Sequence, residues 1–347
     1  RVAGHLVGDA ALHEMLTRVD AALIADHAGT EGVTVFEIMT AVAFMLFAET
    51  PADALLLEVG LGGEFDATNV IKSPAATIIT PVALDHQIHL GTTLADIASA
   101  KAGIIKKGCP VVSAAQQDEA GAVIEAAARR AGVEAQFADQ DFQGFGERGR
   151  FTFQNGDGLL DLPRPALPGD HQIENAALAI AGLKAAGFDL SQSEIATGLQ
   201  NVVWPGRMQH MPGGALTEMV PGKDIWLDGG HNPHGAEAVA RILADRGAVP
   251  TVLICGMLNT KDPTGYFKAL GPTLVQAFTV PITSSQAGVD PAELAAIAND
   301  AGVMATPMAD IGSALEAANA LDAPRILIGG SLYLVGDALA QNGTPPT

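Results

Sequence analysis

Short apolar runs alternate with longer Ala-rich stretches of helical periodicity along most of the chain. The runs at Ala54–Glu58, Ala76–Thr80, Pro110–Ala114, Ile225–Asp228, Thr251–Cys255, Gln276–Val280 and Arg325–Ile328 are nearly continuous in apolar residues. That is the pattern of parallel strands buried on both faces. Between them, Val35–Ala48, Leu94–Lys106, Asp118–Ala131, Glu174–Ala186, Gly235–Arg246, Pro291–Ala301 and Ile311–Ala318 read as helices. The alternation predicts an α/β architecture with parallel sheets. The rhythm breaks at about 140–162, where Gly-spaced alternating pieces predict a β-hairpin or small antiparallel excursion. It breaks again at Trp204–Gly214, a Pro/Gly-rich stretch that predicts a domain boundary.

The length of 347 residues suggests roughly two domains. Lys and Arg number 19 against 39 Asp and Glu, a formal charge of −20. A chain this acidic has no general attraction for nucleic acid or anionic membrane. Any phosphate must be held by placed cations, backbone amides or metal ions. The longest apolar stretch, Ile38–Ala48, is too short for a membrane span, which needs about 20 residues. Cys109 and Cys255 form no CxxC pair, so two buried free thiols in a reducing cytoplasm are expected.

Polar residues cluster where predicted strands end, and ligands of open α/β sheets bind at those ends. Glu58 closes one run before the Gly-rich EVGLGGEFDATN segment. This is not a GxGxxG fingerprint, because residue 65 is Phe, and a nicotinamide dehydrogenase is disfavoured. TPVALDH ends in His86, and Lys101 sits among small neighbours in ASAKAG. Asn175 lies in GDHQIENAA, Arg207 in WPGR, and Asp228 and His231 in WLDGGHNPH. GMLNTKD and GGSLY follow two further strands. Each cluster also has a plain structural reading: a helix cap, a Gly turn, a surface lysine or an interdomain pin.

Taken in order, the set EVGLGGxxDATN, LDHxxxLG, KAGIxK, HQxxNA, PGR, DGxHNPH, GMLxxKD and GSLY resembles the dihydrofolate synthase/folylpolyglutamate synthase family of the Mur ligase superfamily. The resemblance runs from Arg1 to about Gly336. It implies a truncated P-loop NTPase-like domain of Mur ligase central type over residues 1–211. A smaller Rossmann-like C-terminal domain over 212–347 would follow, with the active site between them. The implied reaction phosphorylates a pteroate or folate carboxylate with ATP. The amine of L-glutamate then attacks the acyl phosphate. Glu58 and His86 are implied as Mg²⁺ ligands, with Lys101 a third if carbamylated. Lys101, His86 and His231 are implied in catalysis, and Asn175, Arg207 and Asp228 in ATP binding. Thr34, Val35, Phe36, Glu37, Phe65, Asp66 and Ala67 match the pterin-side contacts, and Ser331 and Tyr333 the glutamate side. The implied partners are ATP, L-glutamate and dihydropteroate or a reduced folate. The implied state is a cytoplasmic monomer with no nucleic-acid or membrane partner.

The sequence departs from the family at three points. Residues 64 and 100, often Arg and Glu, are Glu64 and Ala100. No GxxxxGK[ST] loop occurs anywhere in the 347 residues, and the chain starts at Arg1 without an initiator Met. The backbone amides and Lys of that loop cradle the β- and γ-phosphates. The expectation is a fragment of a ligase, inactive as written. A non-catalytic folate- or nucleotide-binding homologue and another Mur-type ligase are the alternatives.

Overall fold

The computed structural model describes residues 1–2, 4–25, 32–247 and 249–346. The chain opens with two helices, α1 (Asp9–Ala25) and α2 (Val35–Glu49). They pack on each other through Met15, Val19 and Val42. Then come β1 (Thr77–Ile79), α3 (Gln87–Leu90), α4 (Leu94–Ala102), β2 (Val111–Ser113), α5 (Asp118–Arg130) and β3 (Ala135–Phe137). These three strands form a parallel sheet in the order β1-β2-β3, covered by α4 and α5. The predicted antiparallel excursion is a three-stranded meander, β4 (Phe142–Glu147), β5 (Arg150–Asn155) and β6 (Gly158–Pro163). Its inward residues Phe142, Phe151, Phe153 and Leu162 share a core with α6 (His171–Ala185). The helix α7 (Gln192–Asn201) follows.

The remaining elements build a six-stranded sheet. They are β7 (Gln209–His210), α8 (Ala215–Met219), β8 (Asp224–Asp228), α9 (Pro233–Asp245), β9 (Thr251–Cys255), α10 (Pro263–Leu270), β10 (Leu274–Thr279), α11 (Pro291–Asp300), β11 (Ala305–Pro307), α12 (Ile311–Asn319), β12 (Arg325–Gly329) and α13 (Leu332–Gln341). The strand order is β11-β10-β9-β12-β8-β7, parallel except for β7. Alternate side chains of each strand face opposite ways. Ile225, Leu227, Val252, Ile254, Ile326 and Ile328 pack under α8, α12 and α13, while Trp226, Leu253, Cys255 and Leu327 pack under α9, α10 and α11. Both faces are dry, which is why these runs read as continuously apolar.

One expected strand does not form. Ala54–Glu58 lies outside every sheet, with all five residues exposed. Its three leucines satisfy the apolar pattern of a strand, but no described strand hydrogen-bonds to them. Without a paired neighbour an apolar run has nothing to bury it. Glu58 therefore does not close a strand, contrary to the expectation. No helix among the described residues is long and apolar enough to cross a membrane.

Candidate active site

Register brings three loops to one edge of the six-stranded sheet. Gly329 pairs with Asp228 on one side and with Cys255 on the other, so β8, β9 and β12 end at the same level. The loops after them, 229–232, 256–262 and 330–331, emerge together, as expected for ligand-binding crevices of parallel sheets. Gly330 makes the junction possible. Its φ is +96°, and its α-carbon is packed so closely on the Cys255 sulfur and the Gly256 carbonyl that a side chain would clash.

Asp228 organises this edge. It is only 8% exposed. Its Oδ2 accepts the Met208 N–H at 2.9 Å and its Oδ1 accepts the Gly230 N–H at 2.7 Å. Next door the Gly229 N–H donates to the Gly206 carbonyl at 2.7 Å. The backbone on both sides of Arg207 is thus tied to the end of β8. Burial pushes the Asp228 carboxyl up, opposed by those two N–H groups and by Arg207 and His171. Here Asp228 joins the linker to the 229–232 loop.

His231 is half-buried in that loop. Its Nδ1 lies 3.0 Å from the Gly229 carbonyl. A carbonyl can only accept, so Nδ1 carries the proton and Nε2 is left as an acceptor. Burial lowers its pKa below the ordinary histidine value. The Gly229 carbonyl opposes that, Lys261 lowers it further, Asp85 opposes it and Arg207 adds to it. These electrostatic neighbours place His231, Lys261, Arg207 and Asp85 in one neighbourhood. Ser331 is buried and caps α13 by accepting the Tyr333 N–H at 3.1 Å, while Tyr333 is half exposed.

Asp85 and His86 come from the loop after β1. His86 is exposed and left-handed, with φ 52°. Its N–H donates to Asp85 Oδ1 at 2.8 Å, and Asn232 Nδ2 reaches Asp85 Oδ2 from the other lobe at 3.3 Å. His171, at the start of α6, also meets the second lobe. Burial lowers its pKa; Asp228 raises it, while Arg241, His234 and Arg207 lower it. Asn175 is exposed on α6 and donates to the Gln172 amide oxygen at 3.1 Å.

The predicted pterin-side segments meet. Thr34 caps α2 in a reciprocal box with Glu37: Thr34 Oγ1 accepts the Glu37 N–H at 3.2 Å and the Thr34 N–H donates to Glu37 Oε2 at 2.7 Å. Val35 and Phe36 are exposed, and the Phe36 ring lies on Gly60, where a β-carbon would overlap it. The loop 60–69 is wound around Asp66. That carboxylate accepts the N–H groups of Gly60, Leu61 and Thr68 and the Thr68 hydroxyl, at 2.6–3.0 Å. Burial works to raise the Asp66 pKa, but these donors outweigh it and hold it below the usual value. Phe65 is left 94% exposed at the tip, with Ala67 half-buried beside the hub. Gly63 fits against the Ala100 and Lys101 carbonyls, and the Glu64 N–H donates to the Ala100 carbonyl at 2.8 Å. This docks the loop on the end of α4, where Lys101 is half-buried.

Among the described residues no three His, Cys, Asp or Glu side chains converge to hold a metal ion. Glu58 and His86 are both exposed, and Glu58 lies outside any strand. Sequence reasoning left Asp85, Asn232, Lys261 and His171 without roles, although all four lie inside the motifs it singled out. For Asp85 and Asn232 the signal was adjacency, since they neighbour His86 and His231 in strand-end loops.

No protein-family model matches the chain. The folylpolyglutamate synthase of Lacticaseibacillus casei is 33% identical over 343 residues, covering 94% of this chain and 76% of that protein. The chain belongs to the folylpolyglutamate synthase/dihydrofolate synthase family. This is a family of ATP-dependent ligases. Escherichia coli FolC in complex with DHPP and ADP superimposes with a TM-score of 0.84 at 28% identity, over 98% of this chain and 77% of that one. A bifunctional folylpolyglutamate synthase/dihydrofolate synthase with Mn, AMPPNP and L-glutamate bound gives 0.83 at 29% identity, over 98% and 78%. The fold shared with these synthases is the α/β arrangement described above.

Proposed function

We propose that the crevice between the two lobes is the site of an ATP-dependent ligation of L-glutamate to dihydropteroate, reduced folates or both. ATP, arriving with its magnesium ion, phosphorylates the acceptor carboxylate; the glutamate amine then displaces phosphate to form the amide. The observation that supports this best is the convergence of the loops after β8, β9 and β12 at one sheet edge, with Asn232, beside His231, reaching Asp85 at 3.3 Å. Arg207 and Lys261 offer positive charge to phosphate and carboxylate groups. Neutral His231, with Nε2 unprotonated, can take the proton that the amine loses. Phe36 and Phe65 present exposed aromatic faces to a flat pterin ring. Division into residues 1–211 and 212–347 belongs to this proposal, with β7 reaching across the boundary; so do the cytoplasmic, monomeric state and the catalytic role of Lys101.

The 347 residues contain no GxxxxGK[ST] loop. A second reading has this chain bind its ligands without turnover. Calorimetry and an ADP-release assay on the chain test both readings. We expect binding of ADP and of dihydropteroate or a reduced folate in preference to a UDP-muramoyl peptide, without ADP release. Arg207→Ala should weaken ADP binding about tenfold. Unchanged ADP affinity in that variant, or preference for the muramoyl acceptor, would remove the ligase reading. ADP release by the chain would remove the non-catalytic one.

A further inference from the structure

Asp85 is the residue that touches most of what the site needs yet has been given no task. It stands between His86 and the loop after β8: Oδ1 serves the His86 backbone, while Oδ2 faces Asn232 and also lies 3.8 Å from His86 Nε2. Oδ1 accepts the N–H of His86, at 2.8 Å, within the left-handed turn that presents that side chain. Oδ2 faces Asn232 Nδ2 across the crevice at 3.3 Å. Asn232 is equally divided. Its amide oxygen caps α9 by accepting the Gly235 N–H at 2.8 Å, which leaves only its NH₂ group for Asp85. Asn232 directly follows His231. A non-glycine residue at positive φ is held there only by its surroundings.

We propose that Asp85 is a positioning residue, a two-armed clasp in which one carboxylate holds His86 in its presented conformation and holds the lobes closed through Asn232. One arm sets a candidate ligand-side histidine; the other sets the loop that carries His231. Closure and presentation of the two histidines are therefore coupled through a single side chain. The clasp stands on this geometry alone; only its purpose in catalysis rests on the ligase reading above.

The divided amide and carboxylate permit an atom-for-atom test. Asn232→Asp keeps the α9 cap, because a carboxylate oxygen accepts the Gly235 N–H as well as an amide oxygen does. It also sets a negative charge against Asp85. Adding Asp85→Asn exchanges donor and acceptor: the amide then at position 85 would accept from His86 through its oxygen and donate to the carboxylate at position 232. Spin labels on Glu134→Cys and Glu316→Cys, one in each lobe, report the separation by pulsed electron resonance on the full chain. The native cysteines are buried and stay unlabelled. Asn232→Asp should lower the closed-to-open ratio about tenfold, and the exchange variant should restore it to within about twofold. Asp85→Ala should also speed amide exchange at His86 about tenfold, whereas Asp85→Asn should not. An Asn232→Asp variant with the parental distance distribution, or an exchange variant as open as that single variant, would overturn the clasp. Unchanged His86 exchange in Asp85→Ala would overturn the first arm. None of these readouts needs nucleotide or turnover, so a failed ligase reading leaves them intact.

Discussion

Two leucine-containing runs have similar patterns and opposite fates. Thr251–Cys255 is β9, flanked by β10 and β12, and every residue in it is buried. Ala54–Glu58 has three consecutive leucines, yet all five residues are exposed and Leu56 is 87% so. The difference lies in the neighbours. A strand is stabilised by cross-strand pairs and by the layers above and below it, and apolarity only makes those partnerships favourable. The lesson is that an apolar run reports a capacity for burial, while topology decides whether the capacity is used.

The widest separation between the two regions should appear on truncation. Leu253→Ala removes a side chain with no exposed surface and should cost about 2–5 kcal/mol. Leu56→Ala should change stability by no more than about 0.5 kcal/mol. Urea unfolding of both variants checks this. Equal costs would mean that residues 54–58 are packed in solution and would erase the contrast. A smaller effect is expected just downstream, where order comes from one polar hub instead of a core. Asp66→Ala strips four hydrogen bonds from the 60–69 loop. It should cost about 1–3 kcal/mol and speed amide exchange at Gly60, Leu61 and Thr68. Phe65→Ala, at the exposed tip, should leave that exchange unchanged. If Asp66→Ala left the three amides protected, the loop would be held by its docking on α4 instead.

Much of the fold was legible because its signals are local. The six buried strands declared themselves as continuous apolar runs, and the Gly-spaced meander broke the rhythm visibly. β3 and β11 were not legible: Ala-Gln-Phe and Ala-Thr-Pro are three-residue edge strands without the continuous apolar run that marks β1 and β2. α13 was not among the expected helices, and the Ser331 cap marks its start. Of the candidate residues, Asp228 ends a strand and His86, His231 and Ser331 follow one, as the pattern suggested. What the sequence could not supply was the division of labour within each motif. Asp66 and Asp228 look like ligand contacts by position, and their oxygens also accept backbone N–H groups that shape the surrounding loops. Asp85 looks like a bystander to His86, yet it alone among the described residues hydrogen-bonds Asn232 across the crevice. Such roles depend on backbone groups distant in sequence, which no side-chain pattern encodes.

The mildest expected effect concerns acid stability and sharpens the same contrast, because the two lowered histidines sit at the lobe junction and none lies near residues 54–58. Burial lowers the pKa of both His171 and His231 in the folded chain, from an ordinary value of 6.5. As pH falls through 6.5, the unfolded chain takes up protons that the folded chain still refuses, so stability declines. The decline ends once pH passes below the folded-state values. Asp228 works in the opposite sense. Its folded pKa is raised from 3.8, so its contribution falls as pH rises from 3.8 to the folded value. The thermal midpoint should therefore drop on acidification just below pH 6.5, and His231→Gln should flatten that slope while Leu56→Ala leaves it unchanged. A slope identical in His231→Gln and the parent would show that the junction is open to water and that burial does not govern this histidine.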